Sequence, residues 1–329
     1  IESWYLQRAG TSLQPELARY GASVVVVEDT RLALQHYTQA ILQRWHPIVI
    51  AVTGSTGKTS TKEALATVLA SNYATFKSWQ NYNDLLGLPL SLGRLEERHE
   101  YAVLEMGCDH PGEIEQLCAL TRPTIGVLTN ISPYQLQYFG SMQRLAAEFS
   151  TMLSCLPAHG AAFVGDLNGY TLPTEITAPL HSFGADEANT LHISWEGVRF
   201  RICHEEAEIE LQAGLLGRHA VATLLAAYKV GRHCGVAGET ISHALERFGP
   251  LRGRLHVLPG VAATTLLDDT HNACPASVSA GLATLHALPA GLRIAVLGDM
   301  LRLGEYEAEG HRLVGEQAAS CVDYIITRG

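Results

Sequence analysis

Apolar and polar positions change period several times along the chain, and each change predicts an element. Val24 to Val27 is a β-branched run, and Thr30 to Arg44 then spaces Leu34, Tyr37 and Ile41 as one face of a helix. Pro47 precedes a continuous apolar strand, Ile48 to Val52, followed by a Gly-rich turn and a helix whose inward face is Ala64, Leu65, Val68 and Leu69. Further buried-strand runs at Tyr101 to Leu104 and Thr124 to Leu128 flank a helical stretch after Pro111. This alternation predicts a parallel sheet with crossover helices. From His192 to Leu211 the period shortens to two, as expected of an antiparallel hairpin or meander, and a helix from His219 to Tyr228 follows. After Pro250 the alternation restarts: a strand at Thr264 to Leu267, a helix near Ala276 to Leu288, a strand at Ile294 to Leu297, a helix near Glu307 to Ala319 and a strand at Tyr324 to Ile326.

The fold class is therefore α/β, with a central parallel-sheet domain followed by an incomplete second α/β domain. With 329 residues there is room for two domains and part of a third. Apolar residues at 47% against 17% charged residues exclude a disordered chain. The 23 Lys and Arg against 33 Asp and Glu give a net charge of −10, which repels phosphate backbones and argues against a nucleic-acid partner. The apolar runs are strand-sized, so no membrane insertion is expected. Seven scattered cysteines with no C-x-x-C pair fit a reducing, cytoplasmic setting. The chain starts at Ile1 and stops just after a strand-like run, so both ends are expected to be trimmed.

The sharpest chemistry lies in Gly54-Ser55-Thr56-Gly57-Lys58-Thr59-Ser60, between a strong strand and a strong helix. Glycines there let backbone N–H groups close round phosphate oxygens at a helix N-terminus, whose dipole favours the anion. Lys58 would reach the β and γ phosphates, and the Thr59 hydroxyl is placed to ligate Mg²⁺ beside ATP. The plain alternative is a strand-to-helix turn with an exposed lysine. Val52 holds the position where the common phosphate loop has its first glycine, so the loop is a shortened form.

Written out from Thr53 to Glu63 as T-G-S-T-G-K-T-S-T-K-E, the chain resembles the Mur ligases, in particular the branch that joins D-alanyl-D-alanine to a UDP-N-acetylmuramoyl tripeptide. Asn81-Tyr82-Asn83-Asp84 with Gly87-Leu88-Pro89-Leu90, and Glu105-Met106-Gly107 with His110-Pro111-Gly112-Glu113-Ile114, are similar to that branch's motifs. So are Arg252-Gly253-Arg254, the segment Asp268 to Pro275, and Gly298-Asp299-Met300. The resemblance implies an ATP-dependent amide ligase working through an acyl phosphate in peptidoglycan precursor synthesis. It implies residues 1–46 as a remnant of the UDP-sugar lobe, 47–256 as the central ATPase domain with its P-loop and parallel sheet, and 257–329 as a partial Rossmann-like ligase domain. Its partners are small molecules: a UDP-sugar peptide and a dipeptide-like amine.

Carried over residue by residue, the resemblance makes Lys58, Glu105 and Asn130 catalytic, with Thr59 and Glu105 holding Mg²⁺. Gly54 to Ser60, Arg254, Asp269 and Asn272 would bind ATP, and Asn81, Asn83 and His110 would face the muramoyl peptide. Each also has a structural reading: Glu105 as a strand terminus, Arg254 as an interdomain ion-pair partner, Asn81 and Asn83 as turn residues, His110 as a helix-start residue.

Departures from the family cluster at the site. Gln135 stands where a metal-ligating histidine is usual, and Phe149 where a carbamylated lysine binds a second Mg²⁺. The adenine helix reads Gly217-Arg218-His219-Ala220-Val221-Ala222-Thr223 without its asparagines, and His271, Cys274 and Arg302 replace a tyrosine, an asparagine and a glutamate. Two expectations remain open: a divergent ligase using one Mg²⁺ on the Lys58, Thr59 and Glu105 side, or a catalytically degenerate relative that binds nucleotide or a protein partner without turnover.

Overall fold

The computed structural model describes residues 19, 21, 25–204 and 207–329. Much of the segment expected to be a UDP-sugar lobe remnant, and Val24 of the first strand-like run, lie outside the described residues; Val27 makes an isolated bridge.

Helix α1 (Thr30–Trp45) starts where the Asp29 carboxylate accepts the amides of Arg31 and Leu32 at 2.8 and 2.9 Å, and stops at left-handed His46 before Pro47. Although placed before the domain border in the sequence reading, α1 buries Ile41 in the same core cluster as Leu92 and Leu117. Its apolar stripe packs on the central domain.

That domain runs β1 (Ile48–Thr53), α2 (Lys58–Leu69), β2 (Thr75–Lys77), α3 (Gly87–Leu92), β3 (Tyr101–Glu105), α4 (Glu113–Thr121) and β4 (Ile125–Asn130). It continues through α5 (Leu136–Phe139), α6 (Met142–Ser154), β5 (Ala161–Asp166) and β6 (Leu180–Ser182). The six strands form a parallel sheet in the order β2-β3-β1-β4-β5-β6. Both faces are covered: Val49 and Ala51 of β1 point to the α1, α4 and α6 side, Ile50 and Val52 to the α2 side. This is why the strands read as unbroken apolar runs.

A meander of β7 (Thr190–Ser194), β8 (Gly197–His204) and β9 (Ala207–Ala213) then packs Val198, Phe200 and Leu211 onto α7 (Ala220–His233) and α8 (Gly238–Glu246), as the two-residue period predicts. The last part holds the antiparallel pair β10 (His256–Pro259) and β11 (Thr265–Asp268), helix α9 (Pro275–Ala287), strand β12 (Ile294–Gly298), helix α10 (Glu307–Cys321) and strand β13 (Tyr324–Arg328), which pairs with β12 in parallel. Its own small core gathers Leu282, Ala295, Met300, Leu303, Val314 and Ala318.

Candidate functional site

In the parallel register Val52 lies opposite Glu105 and Asn130 opposite Asp166, so the carboxyl ends of β1, β3, β4 and β5 converge on one edge. Strand order reverses between β3 and β4 around β1, the point where open α/β sheets leave a crevice. The phosphate loop fills the start of it. Gly54 has φ +128°, and a Cβ there would lie 2.3 Å from Thr129 Oγ1 and 2.9 Å from the carbonyl oxygen of Asn130. Only glycine lets the loop lie this close to β4. Gly57, at φ +77°, turns the chain into α2.

Neighbouring strand ends hold the loop. The Ser55 amide donates to the Asn130 carbonyl at 2.9 Å, and Thr129 Oγ1 donates to the Thr56 carbonyl at 2.6 Å. Asn130 accepts the Thr56 amide at 3.3 Å and returns its own amide to the Thr56 carbonyl at 3.0 Å. Asn130 thus braces the loop backbone. Lys58, nearly buried, donates to the carbonyls of Gly54 and Ser55 at 2.6 and 3.1 Å and lies 4.6 Å from the centre of the Tyr134 ring.

Glu105 ends β3 almost fully buried. Asn83 Nδ2 donates to its Oε1 at 2.8 Å, and Oε2 makes no hydrogen bond although no solvent reaches it. Lys62 Nζ lies 3.8 Å from that atom. A buried carboxylate oxygen without a donor fits a cation, and the Thr59 hydroxyl lies in the same cleft. Among the described residues no three His, Cys, Asp or Glu side chains group as a metal cage. The donor set therefore suits an ion shared with nucleotide phosphates, as Mg²⁺ commonly is.

Arg254 crosses from the segment before β10, and its Nη2 donates to Thr59 Oγ1 at 2.9 Å. Burial pulls the guanidinium below its ordinary range while Glu105 and Asp269 act the other way. Asp269 accepts the Leu255 amide at 3.2 Å; burial raises its carboxyl, opposed by that bond and by Arg254. His271 is pulled down, first by burial and then by the Arg254 charge.

These groups line one cleft of about 910 Å³, which also takes in Ser60, Asn81, His219, Thr223 and Asn272. Asn81 further lines an adjoining cavity of about 480 Å³ with Glu63, Arg252 and His271. Asn83 also lines this cleft, with its amide donating to Glu105 Oε1. His110 does not line the cleft: it is an exposed residue ahead of α4, 3.6 Å from Glu113 and 5.2 Å from the Tyr138 ring, because Pro111 and Gly112 start the helix there.

The departing residues do not suit a second metal ion. Phe149 is fully buried, 6.0 Å from Lys58 Nζ, and Gln135 donates its amide to Asp109 Oδ1. Beside Phe149, the Glu148 carboxylate accepts the Gly112 and Ile114 amides at 2.8 and 2.9 Å and so caps α4. Arg302 reaches Asp109 at 3.6 Å, and the Gln137 amide donates to the Arg302 carbonyl at 3.1 Å, joining the last domain to α5. Sequence reasoning missed Asp109, Tyr134 and Lys62; only Lys62 had a signal, one helical turn beyond Lys58 in the same motif.

Fold and site together define a phosphate-loop α/β protein in which the segment ahead of β10 brings an arginine to the loop's Thr59. Residues 52–231 match the Mur ligase middle domain. The chain belongs to the Mur ligase family. It is 32% identical to the UDP-N-acetylmuramoyl-tripeptide–D-alanyl-D-alanine ligase of Escherichia coli (strain K12), over 93% of this chain and 70% of that protein. Against the ligase of the same name from Bacillus subtilis (strain 168) the identity is 32%, over 93% and 68%. Crystal structure I of MurF from Acinetobacter baumannii superposes with a TM-score of 0.85 at 30% identity, over 92% of this chain and 68% of that one. MurF ligase from Thermotoga maritima in complex with ADP superposes with 0.83 at 25% identity, over 92% and 71%. The chain thus spans about 70% of the length of these relatives.

Proposed function

We propose that this chain is an ATP-dependent amide ligase that adds D-alanyl-D-alanine, or a similar amine, to a UDP-muramoyl peptide in peptidoglycan precursor synthesis. The observation that supports it best is the convergence of the phosphate loop, Glu105 and the incoming Arg254 on one cleft in a chain of this family. The proposed UDP-linked substrate fits a cytoplasmic reaction; among the described residues no helix is long and apolar enough to cross a membrane.

A carboxylate is a poor acyl donor. Transfer of the γ-phosphoryl of ATP to the peptide carboxylate gives an acyl phosphate; the amine attacks its carbonyl carbon, the C–O bond to phosphate breaks, and the amine proton leaves with the departing phosphate or water. The chain's part is positioning and charge. Loop amides from Gly57 to Thr59 cradle phosphate oxygens, Lys58 exchanges its loop carbonyls for the phosphates, and Arg254, from the segment before β10, and Asp269, just after β11, complete the nucleotide side, with Asn272 beside them. Thr59 and Glu105 would hold Mg²⁺, which when bound would supply charge neutralisation at the phosphates. Asn130 keeps the loop in register, and Asn81 faces the substrate side.

Phosphate release from ATP in the presence of a UDP-muramoyl tripeptide and D-alanyl-D-alanine tests this, with Lys58→Ala expected to abolish it; no release from the unsubstituted chain across such substrates would sink the proposal. A second reading rests on Phe149 and Gln135: the chain binds nucleotide without turning over. It expects turnover to emerge from nothing in Phe149→Lys with Gln135→His, and rapid turnover by the unsubstituted chain rules it out.

A further inference from the structure

We propose that Lys62 is a positioning residue that sets Glu105 to receive its cation. Lys62 is fully buried in α2, one turn beyond Lys58 and on the same helix face. A buried ammonium persists only where its protons are taken up. Nζ donates to the carbonyls of Ser78 and Gln80 at 2.9 and 2.7 Å, and lies 3.3 Å from Glu63 Oε1 and 3.8 Å from Glu105 Oε2.

These bonds tie the segment after β2 to the phosphate-loop helix. Gln80 is held at φ +47°, an uncommon backbone state for a residue with a side chain, and the chain from there carries Asn83 to Glu105 Oε1. Ser78 acts on the same strand end from the other side, its hydroxyl accepting the Glu105 amide at 3.0 Å. One carboxylate oxygen is thereby fixed by Asn83. The other is left without a hydrogen bond, with the ammonium near enough to offset its charge and too far to bond it. The ligand oxygen is kept free and rigidly placed, and the energy to hold it so comes from Lys62's bonds to backbone.

The inference rests on Glu105 as a cation ligand, and the test separates the two. ADP affinity of the full chain is measured by calorimetry with Mg²⁺ and with chelator, for the unsubstituted chain and for Glu105→Gln, Lys62→Met and Asn83→Ala. Partners behind a metal ligand change ion affinity roughly tenfold or more. We expect the Mg²⁺-dependent gain in ADP affinity to fall about tenfold in Lys62→Met and in Asn83→Ala, with the affinity in chelator unchanged. A gain lost in Glu105→Gln but retained in Lys62→Met and Asn83→Ala overturns the role of Lys62 and leaves Glu105 as ligand. Equal loss with and without Mg²⁺ makes Lys62 merely structural. No gain in the unsubstituted chain overturns both.

Discussion

Gly54→Ala tests whether the phosphate loop depends on its close approach to β4. The new methyl carbon would sit 2.3 Å from Thr129 Oγ1, 2.9 Å from the Asn130 carbonyl oxygen and 3.0 Å from the Asn130 nitrogen. The last two are backbone atoms in a strand paired on both sides, so they cannot swing away. Thr129 is little freer, since its hydroxyl donates to the Thr56 carbonyl at 2.6 Å with the Thr53 carbonyl also within 3.1 Å. A side chain at φ +128° adds backbone strain of about 1–3 kcal/mol. Overpacking of a tight interior costs about 1–3 kcal/mol. The combined loss is about 2–6 kcal/mol, and at roughly 2–4 °C per kcal/mol for a unit of this size the melting temperature falls by about 4–24 °C. Thermal unfolding followed by circular dichroism reads this, with ADP titration alongside. Because part of the clash is with a hydroxyl, Gly54→Ala with Thr129→Ala should melt higher than the sum of the single effects allows. A shift within 2 °C of zero for Gly54→Ala, or strict additivity in the double variant, would refute the reasoning.

Lys58→Ala removes the cation at the loop and should weaken ADP binding at least tenfold in titration calorimetry, as expected for a lost charge-assisted contact of about 1.5–3 kcal/mol; unchanged affinity would disprove the role. Asp269 has a carboxyl raised by burial, so the stability it contributes is full below the ordinary Asp range and is lost as pH rises through its raised folded value. Asp269→Asn should flatten the melting temperature across that interval, and a pH dependence identical to that of the unsubstituted chain would contradict the assignment. Across the domain contact, the Gln137 amide should be protected from hydrogen exchange in the nucleotide-free chain, and Arg302→Glu, which sets a carboxylate against Asp109, should speed its exchange several-fold. The half-exposed ion pair supports no larger effect. Unaltered exchange at Gln137 would show that the contact does not hold the domains together.

By itself the sequence determined the parallel core and the phosphate loop. A buried parallel strand must be apolar on both faces, so β1, β3 and β4 show as continuous runs, and a glycine-bracketed turn between such a strand and a helix has few other uses. The two-residue period of the meander is equally local, and the Mur-ligase motifs are short enough to survive as contiguous text. Tertiary structure decided what depends on neighbours distant in the chain. Asn83 and Glu105 are 22 residues apart, and their pairing exists only because β3 runs beside the segment that Lys62 holds. That pairing gives Asn83, which lines the cleft, a second part as support for a carboxylate. His110 carried a motif match, and only the folded chain shows it exposed ahead of α4, beside Glu113 and the Tyr138 ring. Helix α1 showed an apolar stripe whose partner could not be read, since periodicity reports that a face is buried and not against what. Arg302 and Asp109 meet only across the two domains, 193 positions apart in the chain by their numbers, where no local pattern records the encounter.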